Sequence, residues 1–499
     1  MLTLAPIFTD GAVLQRRKAV PVWGTAAPGA AVTVELAGAA RTVTAGPDGR
    51  WLAELPPREA GGEETLTVTS GGETLERLGL CFGEVWLAGG QSNMELPLAE
   101  SAGGRKAVAD SGSANVRFYQ APREGEKGRW RHCSPDTSGA LSAVAYHFAR
   151  QIAEARRVTV GIVSCCYGGT SVSCWMSRER LGQFAAGKQC LYDYDRAIGE
   201  KTDEDYRAAM DAYEAEHRAW EQRTAAYRAE HPHASWAETH LACGDCPWPQ
   251  PAGIRSPFYP GRLYEELLAP LVPYALRGFL FYQGEEDCEK YYLHYGELLT
   301  QLIDLWRTDW GDDTLPFLFV QLPMYISAPD YRDHRDDCRW AYLRDQQKKV
   351  SRTVANTGLA VLADCGELDN VHPADKEPVG TRLALLARKL VYGEAVVAEG
   401  PTLERVEREG SALRLTFTGT AGGLTVRDGL AEGFELAGAD GAYREARAEA
   451  ALDTVRVWSE AVPEPETVRY AWKNYAYGNL YNLAGLPAVP FRTDRLPIE

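Results

Sequence analysis

Residues 83–94 contain the best candidate for a catalytic nucleophile. An apolar stretch runs into Gly89 and Gly90 and then into Ser92 at a predicted helix start. At the carboxyl edge of an α/β sheet, such a serine projects its hydroxyl, and N–H groups of the following helix can bind a developing oxyanion. The segment is not the GxSxG elbow of α/β-hydrolases. Because an isolated serine at such a place is most simply a helix N-cap, the assignment requires a base elsewhere in the chain.

Residues 369–373 supply that base. They lie between a predicted strand and a predicted helix, which places them at the same edge of the sheet. Asp369 can hold one imidazole nitrogen of His372 while the other nitrogen faces Ser92. The other histidines fall in helix-like, insert or loop segments, where packing or solvation is the simpler explanation.

Two further polar segments follow predicted strands. Residues 166–170 offer backbone N–H donors at Gly168 and Gly169, and residues 282–287 place polar side chains at the sheet edge. A glycine after a strand is often only a turn, so each segment alone is weak evidence. Their recurrence after consecutive strands indicates a single site.

Such a site needs a parallel sheet, and residues 83–396 have the pattern of one. Short apolar stretches typical of buried parallel strands alternate with helical segments. The predicted strands cover residues 85–88, 160–164, 279–282, 317–322 and 359–363. Helices are predicted around Phe148, Leu302 and Leu386, where apolar residues recur three or four positions apart. The predicted fold class is therefore α/β, with a doubly wound parallel sheet.

Two β regions are predicted to flank this catalytic domain. Residues 1–82 alternate apolar and polar side chains and predict a small β-sandwich-like domain, and residues 397–499 return to the same strand-and-turn texture. Residues 200 to about 255 form a predicted insert, a charged helix with an aromatic stripe (Tyr206, Tyr213, Trp220) followed by an irregular stretch. An aromatic stripe is more often packing than a ligand site, so we expect the helix to lie on the main domain.

Composition and charge exclude several functions. The chain has 499 residues, 45% of them hydrophobic and 24% charged, with a net charge of −16 and no long basic run. We therefore expect neither a nucleic-acid partner nor a membrane partner. No apolar run reaches the roughly 18 residues of a membrane helix, and the N-terminus lacks the features of a signal peptide, which predicts a cytoplasmic protein.

Cysteine usage predicts reduced thiols and no metal site. The count of 11 is odd, and Cys165 and Cys166 are adjacent, which is poor geometry for a disulfide framework. Cys243 and Cys246 have the spacing of half a zinc site, but no second pair completes it. A loop with two free thiols is the preferred interpretation.

Four motifs resemble the sialate O-acetylesterase and carbohydrate acetylesterase family of SGNH (GDSL-like) hydrolases. They are GQSNM at residues 90–94, GGT at 168–170 with Trp175 after it, YQGE at 282–285 and DxxHP at 369–373. Weaker similarities at residues 340–347, 379–384, 479–482 and 485–488 extend the resemblance over nearly the whole chain. The resemblance implies Ser92 as nucleophile, His372 as general base and then acid, and Asp369 as its orienting partner.

The resemblance also implies an oxyanion hole. Its donors would be the N–H of Ser92, a backbone N–H of Gly168 or Gly169, and the side chain at position 287. The family often has Asn there, whereas this chain has Asp287, and an ionised carboxylate repels an oxyanion. Either Asp287 is protonated or bonded elsewhere, or the donor is another group such as Gln283 or Asn93.

The implied activity is that of a serine esterase that removes acetyl groups from a small sugar or oligosaccharide without a metal or organic cofactor. Acetylated sialic acid is the first expected substrate class and acetylated xylan the second. A sialate carboxylate favours a nearby cation, for which Arg344 and Arg255 are candidates, and Ser173 stands where the family frequently has an acidic residue. The candidate substrate-binding residues are Gln91, Asn93, Gln283, Glu285, Trp175 and Arg344.

Two other classes of function are weighed against this one. A glycosidase could use Glu285 and Asp287 as paired carboxylates, but this leaves Ser92 and His372 without a role. The β regions could also belong to a carbohydrate-binding protein on an inactive hydrolase scaffold. The presence of the serine, the histidine and the aspartate argues against a binding protein.

Overall fold

The centre of the molecule is a parallel sheet. The structure is a computed structural model that describes residues 1–113 and 115–494. The central strands are β7 (Glu73–Gly90), β8 (Val116–Gln120), β9 (Trp130–His132), β10 (Val160–Cys166), β11 (Gly278–Tyr282), β12 (Phe317–Val320) and β13 (Thr357–Ala360). Their order is β13, β12, β11, β7, β10, β8 and β9, all parallel to their neighbours except β9. Strands β11, β12 and β13 follow one another outward on one side of β7, and β10 and β8 lie on its other side, which confirms the predicted doubly wound topology.

Helices pack on both faces of this sheet. Trp86 of β7 contacts Phe148 of one helix with ring centroids 5.0 Å apart, whereas a side chain at Gly89 would meet Trp306 of another helix. Alternation along the strand directs these positions to opposite faces. The helices of the catalytic domain outside the insert are α1 (Ser92–Glu95), α2 (Gly104–Asp110), α3 (Ala143–Arg156), α4 (Arg178–Leu181), α5 (Ala185–Ile198), α8 (Tyr295–Asp309), α9 (Ala328–Arg332), α10 (Arg339–Thr353) and α11 (Glu377–Leu390). Helix α3 packs against α11, and α8 packs against α10.

Strand β7 also belongs to the N-terminal β region. It pairs with two strands of that region before its second half enters the parallel sheet. The predicted domain boundary at residue 82 therefore falls inside a single strand. The remaining N-terminal strands are β1 (Val13–Gln15), β2 (Val20–Thr25), β3 (Ala31–Leu36), β4 (Ala39–Thr44), β5 (Arg50–Leu55) and β6 (Gly61–Ser70).

The insert contains helices α6 (Asp203–Glu230) and α7 (Trp236–Cys243). The predicted aromatic stripe packs mainly on the segment that follows α7: Trp220 donates to the carbonyl of Gly244, and Tyr213 donates to that of Pro247. The expectation that α6 packs through this stripe on the main domain is therefore corrected, because the stripe is covered by the insert itself. Cys243 and Cys246 are both free thiols.

The C-terminal region consists of short antiparallel strands around a second apolar core, to which Met324, Val361 and Ala363 of the catalytic domain also belong. Its strands are β14 (Thr402–Glu409), β15 (Ala412–Thr418), β16 (Leu424–Val426), β17 (Phe434–Ala437), β18 (Arg444–Glu445), β19 (Arg447–Ala451), β20 (Thr454–Trp458), β21 (Thr467–Tyr470), β22 (Leu480–Asn482) and β23 (Phe491–Arg492). Within residues 1–113 and 115–494, no helix is long and apolar enough to cross a membrane.

Candidate active site

Ser92 and His372 meet at the carboxyl edge of the sheet. Ser92 begins α1 directly after β7, and its Oγ lies 2.7 Å from Nε2 of His372. The turn between strand and helix requires a glycine at position 90, where φ is +136° and a Cβ would stand 2.1 Å from the carbonyl oxygen of Tyr282. The structure therefore brings together the serine and the histidine that the sequence indicated.

The surroundings of His372 favour the neutral form of its imidazole. Burial, together with the nearby Lys376 ammonium, lowers the pKa of His372 to about 4. A neutral ring nitrogen at hydrogen-bond distance from a hydroxyl can accept its proton. The pair can therefore generate a nucleophilic serine at neutral pH.

Asp369 does not contact the His372 ring, contrary to the expected pairing. Its Oδ2 lies 3.1 Å from Nδ1 of His240 in the insert, and among the described residues no hydrogen bond joins it to His372. The backbone explains this difference. Asp369 adopts a left-handed conformation (φ +57°), and the N–H of His372 donates to Oδ1 of Asn370, which closes a tight turn between the two residues.

The candidate backbone donors of the oxyanion hole differ in whether they are free. The N–H of Gly168 donates to Oε2 of Glu95 at 2.7 Å, so it is already engaged. Within the described part of the chain, the N–H groups of Ser92 and Gly169 donate to no protein acceptor. Of the backbone donors that the sequence indicated, these two are therefore unengaged.

Asp287 is an acceptor, not an oxyanion donor. Its carboxylate is fully buried and accepts hydrogen bonds from the Ser171 hydroxyl (2.6 Å), the Val172 N–H (2.8 Å) and Nε2 of Gln283 (2.5 Å). Burial raises its pKa, while these three donors act in the opposite direction. The carboxylate therefore organises the turn at residues 170–173.

Asn93 joins the serine to the histidine loop. Its Nδ2 donates to Oε1 of Glu285 at 2.5 Å and to the carbonyl of Val371 at 2.8 Å, and its Oδ1 accepts from Nζ of Lys376 at 2.5 Å. The side chain is fully buried and makes three hydrogen bonds to the surrounding protein. Asn93 and Glu285 thus support the site instead of facing substrate.

Burial perturbs the charges in this network. It raises the pKa of Glu285 to about 7 and lowers the pKa of Lys376 to about 8. Because Glu285 and Asp287 are both buried acceptors, with 7% and 0% of their surfaces exposed, they do not form the open carboxylate pair that a glycosidase needs.

Gln91 and Gln283 form the floor of the site. Nε2 of Gln283 donates to Oε1 of Gln91 at 3.2 Å and to the carbonyl of Thr170 at 3.1 Å, and both side chains are buried. They tie α1 to the two polar turns. They therefore position the site, whereas the sequence suggested substrate contacts.

Trp175, Arg344, Arg255 and Ser173 also differ from expectation. Trp175 is fully buried and donates to Oγ1 of Thr170. Arg344 is buried and donates to the carbonyl of Lys473, so it anchors the C-terminal region and cannot reach a substrate carboxylate. Arg255 forms an ion pair with Asp203 on the insert, and Ser173 lies buried beside Ser171.

The insert contributes two residues that the sequence did not single out. His240 of α7 contacts Asp369, as described above. On the other side of the Ser92 turn, the half-exposed Trp248 lies over Gly169, where a Cβ would stand 2.2 Å from the indole. The sequence signal for Trp248 was weak, because it stands in an irregular stretch rich in proline and cysteine.

The site has a serine hydroxyl within hydrogen-bond distance of a histidine, at the carboxyl edge of a doubly wound sheet. With unengaged backbone N–H groups in the same turns, this arrangement defines a hydrolase of the acyl-transfer type. The model of the family described as "carbohydrate esterase, sialic acid-specific acetylesterase" matches residues 254–386. A crystal structure of a carbohydrate acetylesterase from Xanthomonas citri is 32% identical, with a TM-score of 0.79 over 99% of this chain and 100% of that one. This chain belongs to the same carbohydrate esterase family.

Curated relatives agree with this assignment. Sialate O-acetylesterase from Mus musculus is 27% identical over 444 residues, which is 79% of this chain and 75% of the relative. Sialate O-acetylesterase from Homo sapiens is 24% identical over 445 residues, which is 81% of this chain and 74% of the relative. The protein is therefore a carboxylic ester hydrolase that acts on O-acetylated carbohydrates, with an SGNH-like fold flanked by additional β sheets.

Proposed function

We propose that this esterase hydrolyses O-acetyl esters of sialic acids, with Ser92 as nucleophile and His372 as general base. The observation that carries the mechanism is the 2.7 Å contact between Ser92 Oγ and His372 Nε2. The substrate class is supported by the family model and by the mammalian relatives, whose names specify sialate.

In the first half of the reaction, Ser92 Oγ attacks the acetyl carbonyl carbon and its proton moves to Nε2 of His372. The carbonyl oxygen becomes an oxyanion, which the N–H groups of Ser92 and Gly169 stabilise. The tetrahedral intermediate then collapses, the bond to the sugar oxygen breaks, and the His372 imidazolium returns its proton to that oxygen. The sugar alcohol leaves, and the acetyl group remains on Ser92.

In the second half, water replaces the sugar. His372 takes a proton from the water while the water oxygen attacks the acetyl carbonyl, and the same two N–H groups hold the second oxyanion. Breakdown of this intermediate returns the proton to Ser92 Oγ and releases acetate. Network residues such as Asn93 keep the serine and the histidine loop in register throughout.

The test measures acetate release from 9-O-acetyl-N-acetylneuraminic acid and from acetylated xylo-oligosaccharides. We expect wild type to act mainly on the sialic acid, and Ser92→Ala to lower kcat by about 10⁴-fold or more on every substrate. Ser459→Ala, a half-buried serine in the C-terminal β region, is the matched control and should retain wild-type activity.

Each possible result has a definite meaning. Hydrolysis mainly of the xylo-oligosaccharides, lost in Ser92→Ala, would keep the mechanism and overturn the sialate proposal. Activity that survived in Ser92→Ala would overturn the role of the serine.

A further inference from the structure

A cavity of about 410 Å³ lies beside the Ser92 turn and has no role in the mechanism above. Glu95 and Cys166 line it, and both adjoin the site. Glu95 binds the N–H of Gly168, and a Cβ at Gly168 would stand 3.4 Å from the Cβ of Ser92. Through Glu95, the cavity therefore adjoins the Gly168 turn, which packs against Ser92.

The charge of this cavity is opposite to that of the protein. Lys127, Arg129 and Arg131 line it, and none of them forms an ion pair with another described residue. Arg123 also lines it, but its guanidinium pairs with Glu95 and lies 4.4 Å above the Tyr167 ring. The chain as a whole carries a net charge of −16, so a cavity lined by three unpaired cationic side chains is unusual for this protein.

Polar groups complete the lining. Gln120 and Ser164, at or near the carboxyl ends of β8 and β10, face the same cavity. Glu126, the second acidic residue there, accepts from the backbone N–H of Arg123. Cations with hydroxyl and amide groups suit a ligand that carries both a carboxylate and hydroxyls.

We propose that this cavity is a subsite for the carboxylate of an acidic sugar whose acetyl ester lies at Ser92. The inference rests on the proposed function and identifies the cation that neither Arg344 nor Arg255 supplies. In a 9-O-acetylated sialic acid, the ester stands at the end of the three-carbon side chain, and the carboxylate is attached to the ring carbon on the other side of the ring oxygen. The ester and the carboxylate can thus occupy two neighbouring places. A uronic acid next to an acetylated sugar presents the same chemistry.

The experiment compares substrates that differ only in this charge. The first pair is 9-O-acetyl-N-acetylneuraminic acid and its methyl ester. The second pair is acetylated xylo-oligosaccharides with and without a glucuronic acid branch. We expect wild type to favour the charged member of at least one pair by about tenfold in kcat/KM, with a preference that weakens as salt is raised.

The variant Arg129→Gln/Arg131→Gln should bring that ratio close to one through a higher KM for the charged member, with kcat on the neutral member unchanged. Arg41→Gln/Arg447→Gln removes the same charge from exposed positions in the two β regions and should keep the wild-type ratio. Unchanged thermal unfolding of both variants confirms that they are folded.

The outcomes separate this inference from the proposed function. A charge preference seen only with the glucuronate pair, and lost in Arg129→Gln/Arg131→Gln, would support the subsite while the sialate proposal fails. Hydrolysis of the sialic acid and of its methyl ester at equal kcat/KM, with no preference in the second pair, would overturn the subsite and leave the sialate proposal standing. A preference that survives in the variant would also overturn it.

Discussion

Asp369 Oδ2 lies 3.1 Å from Nδ1 of His240, so the insert, and not His372, holds the carboxylate that the sequence assigned to the imidazole of His372. The carboxylate is 5% exposed and belongs to the loop that carries His372. Helix α7 therefore supports that loop through a partly buried polar contact. Asp369 therefore positions the loop, and its contribution to catalysis should be smaller than that of an aspartate bound directly to a catalytic histidine.

Asp369→Asn is expected to lower kcat by about tenfold, far less than the roughly 10⁴-fold loss that follows removal of an aspartate bound directly to the catalytic histidine. Asparagine tolerates the left-handed backbone at this position. His240→Gln should have a similar effect, and the double variant should be no worse than either single one, because both break the same contact. Steady-state kinetics measure all three. A 10⁴-fold loss in Asp369→Asn, with His240→Gln fully active, would show that Asp369 turns to His372 during turnover.

Lys376→Met should move the acid limb of the kcat/KM profile to higher pH, by on the order of one unit or less. Activity requires neutral His372, so it rises as pH passes the pKa of that residue. Burial and the Lys376 charge both lower this pKa, and the substitution removes the second cause. Lys376→Arg keeps the charge and should leave the limb in place. A pH profile identical in wild type and Lys376→Met would contradict the effect.

Asp287→Asn should change kcat by no more than a few-fold and unfolding free energy by about 1 kcal/mol or less. The side chain faces the 170–173 turn, and the Ser171 hydroxyl can reverse to accept from the new amide. Asp287→Ala instead removes an acceptor shared by three donors, leaves the Val172 N–H without a partner, and should cost about 2–4 kcal/mol. Thermal unfolding and kinetics distinguish the two. A large gain of kcat in Asp287→Asn would indicate that the side chain at position 287 belongs to the oxyanion hole.

Trp248→Ala should raise KM about tenfold for an acetylated sugar and leave p-nitrophenyl acetate turnover within twofold of wild type. The half-exposed indole covers Gly169 beside the free N–H donors, and an aromatic face there gives a sugar ring a large contact area. Tyr192→Ala, an exposed aromatic side chain on α5, serves as control. Equal losses on both substrates would indicate that Trp248 acts through the shape of the Gly169 turn and not through the sugar.

Gly90→Ala should destabilise the protein by about 2–4 kcal/mol and abolish most activity. A Cβ there would stand 2.1 Å from the Tyr282 carbonyl oxygen, and φ is +136°. Both effects follow from displacement of the turn that carries Ser92. Differential scanning calorimetry and acetate release measure them. A stable, active Gly90→Ala enzyme would contradict the strict geometry of this turn.

The sequence predicted the sheet and the reacting pair because both follow from local patterns. Apolar strands at residues 85–88 and 359–363 end in polar turns, and parallel topology places both ends at one edge of the sheet, so Ser92 and His372 were expected at that edge. The direction of individual side chains follows from contacts across the fold. The pairing of Asp369 with His240 spans 129 positions, and the burial of Arg344 depends on the backbone of Lys473. The spacing of residues within a short segment cannot predict contacts between residues so far apart in the sequence.

Because the long strand β7 belongs to both, the N-terminal region and the catalytic sheet cannot fold as independent units. Its first half is hydrogen-bonded to β6, and its second half to β10 and β11, without an intervening linker. A cut near residue 82 would create an unpaired strand end inside both sheets, so no truncation there should give a folded catalytic fragment. The turn that carries Ser92 is thus held in place by a strand that the N-terminal region also uses. Partial unfolding of the N-terminal sheet would therefore displace a strand that ends two residues before Ser92.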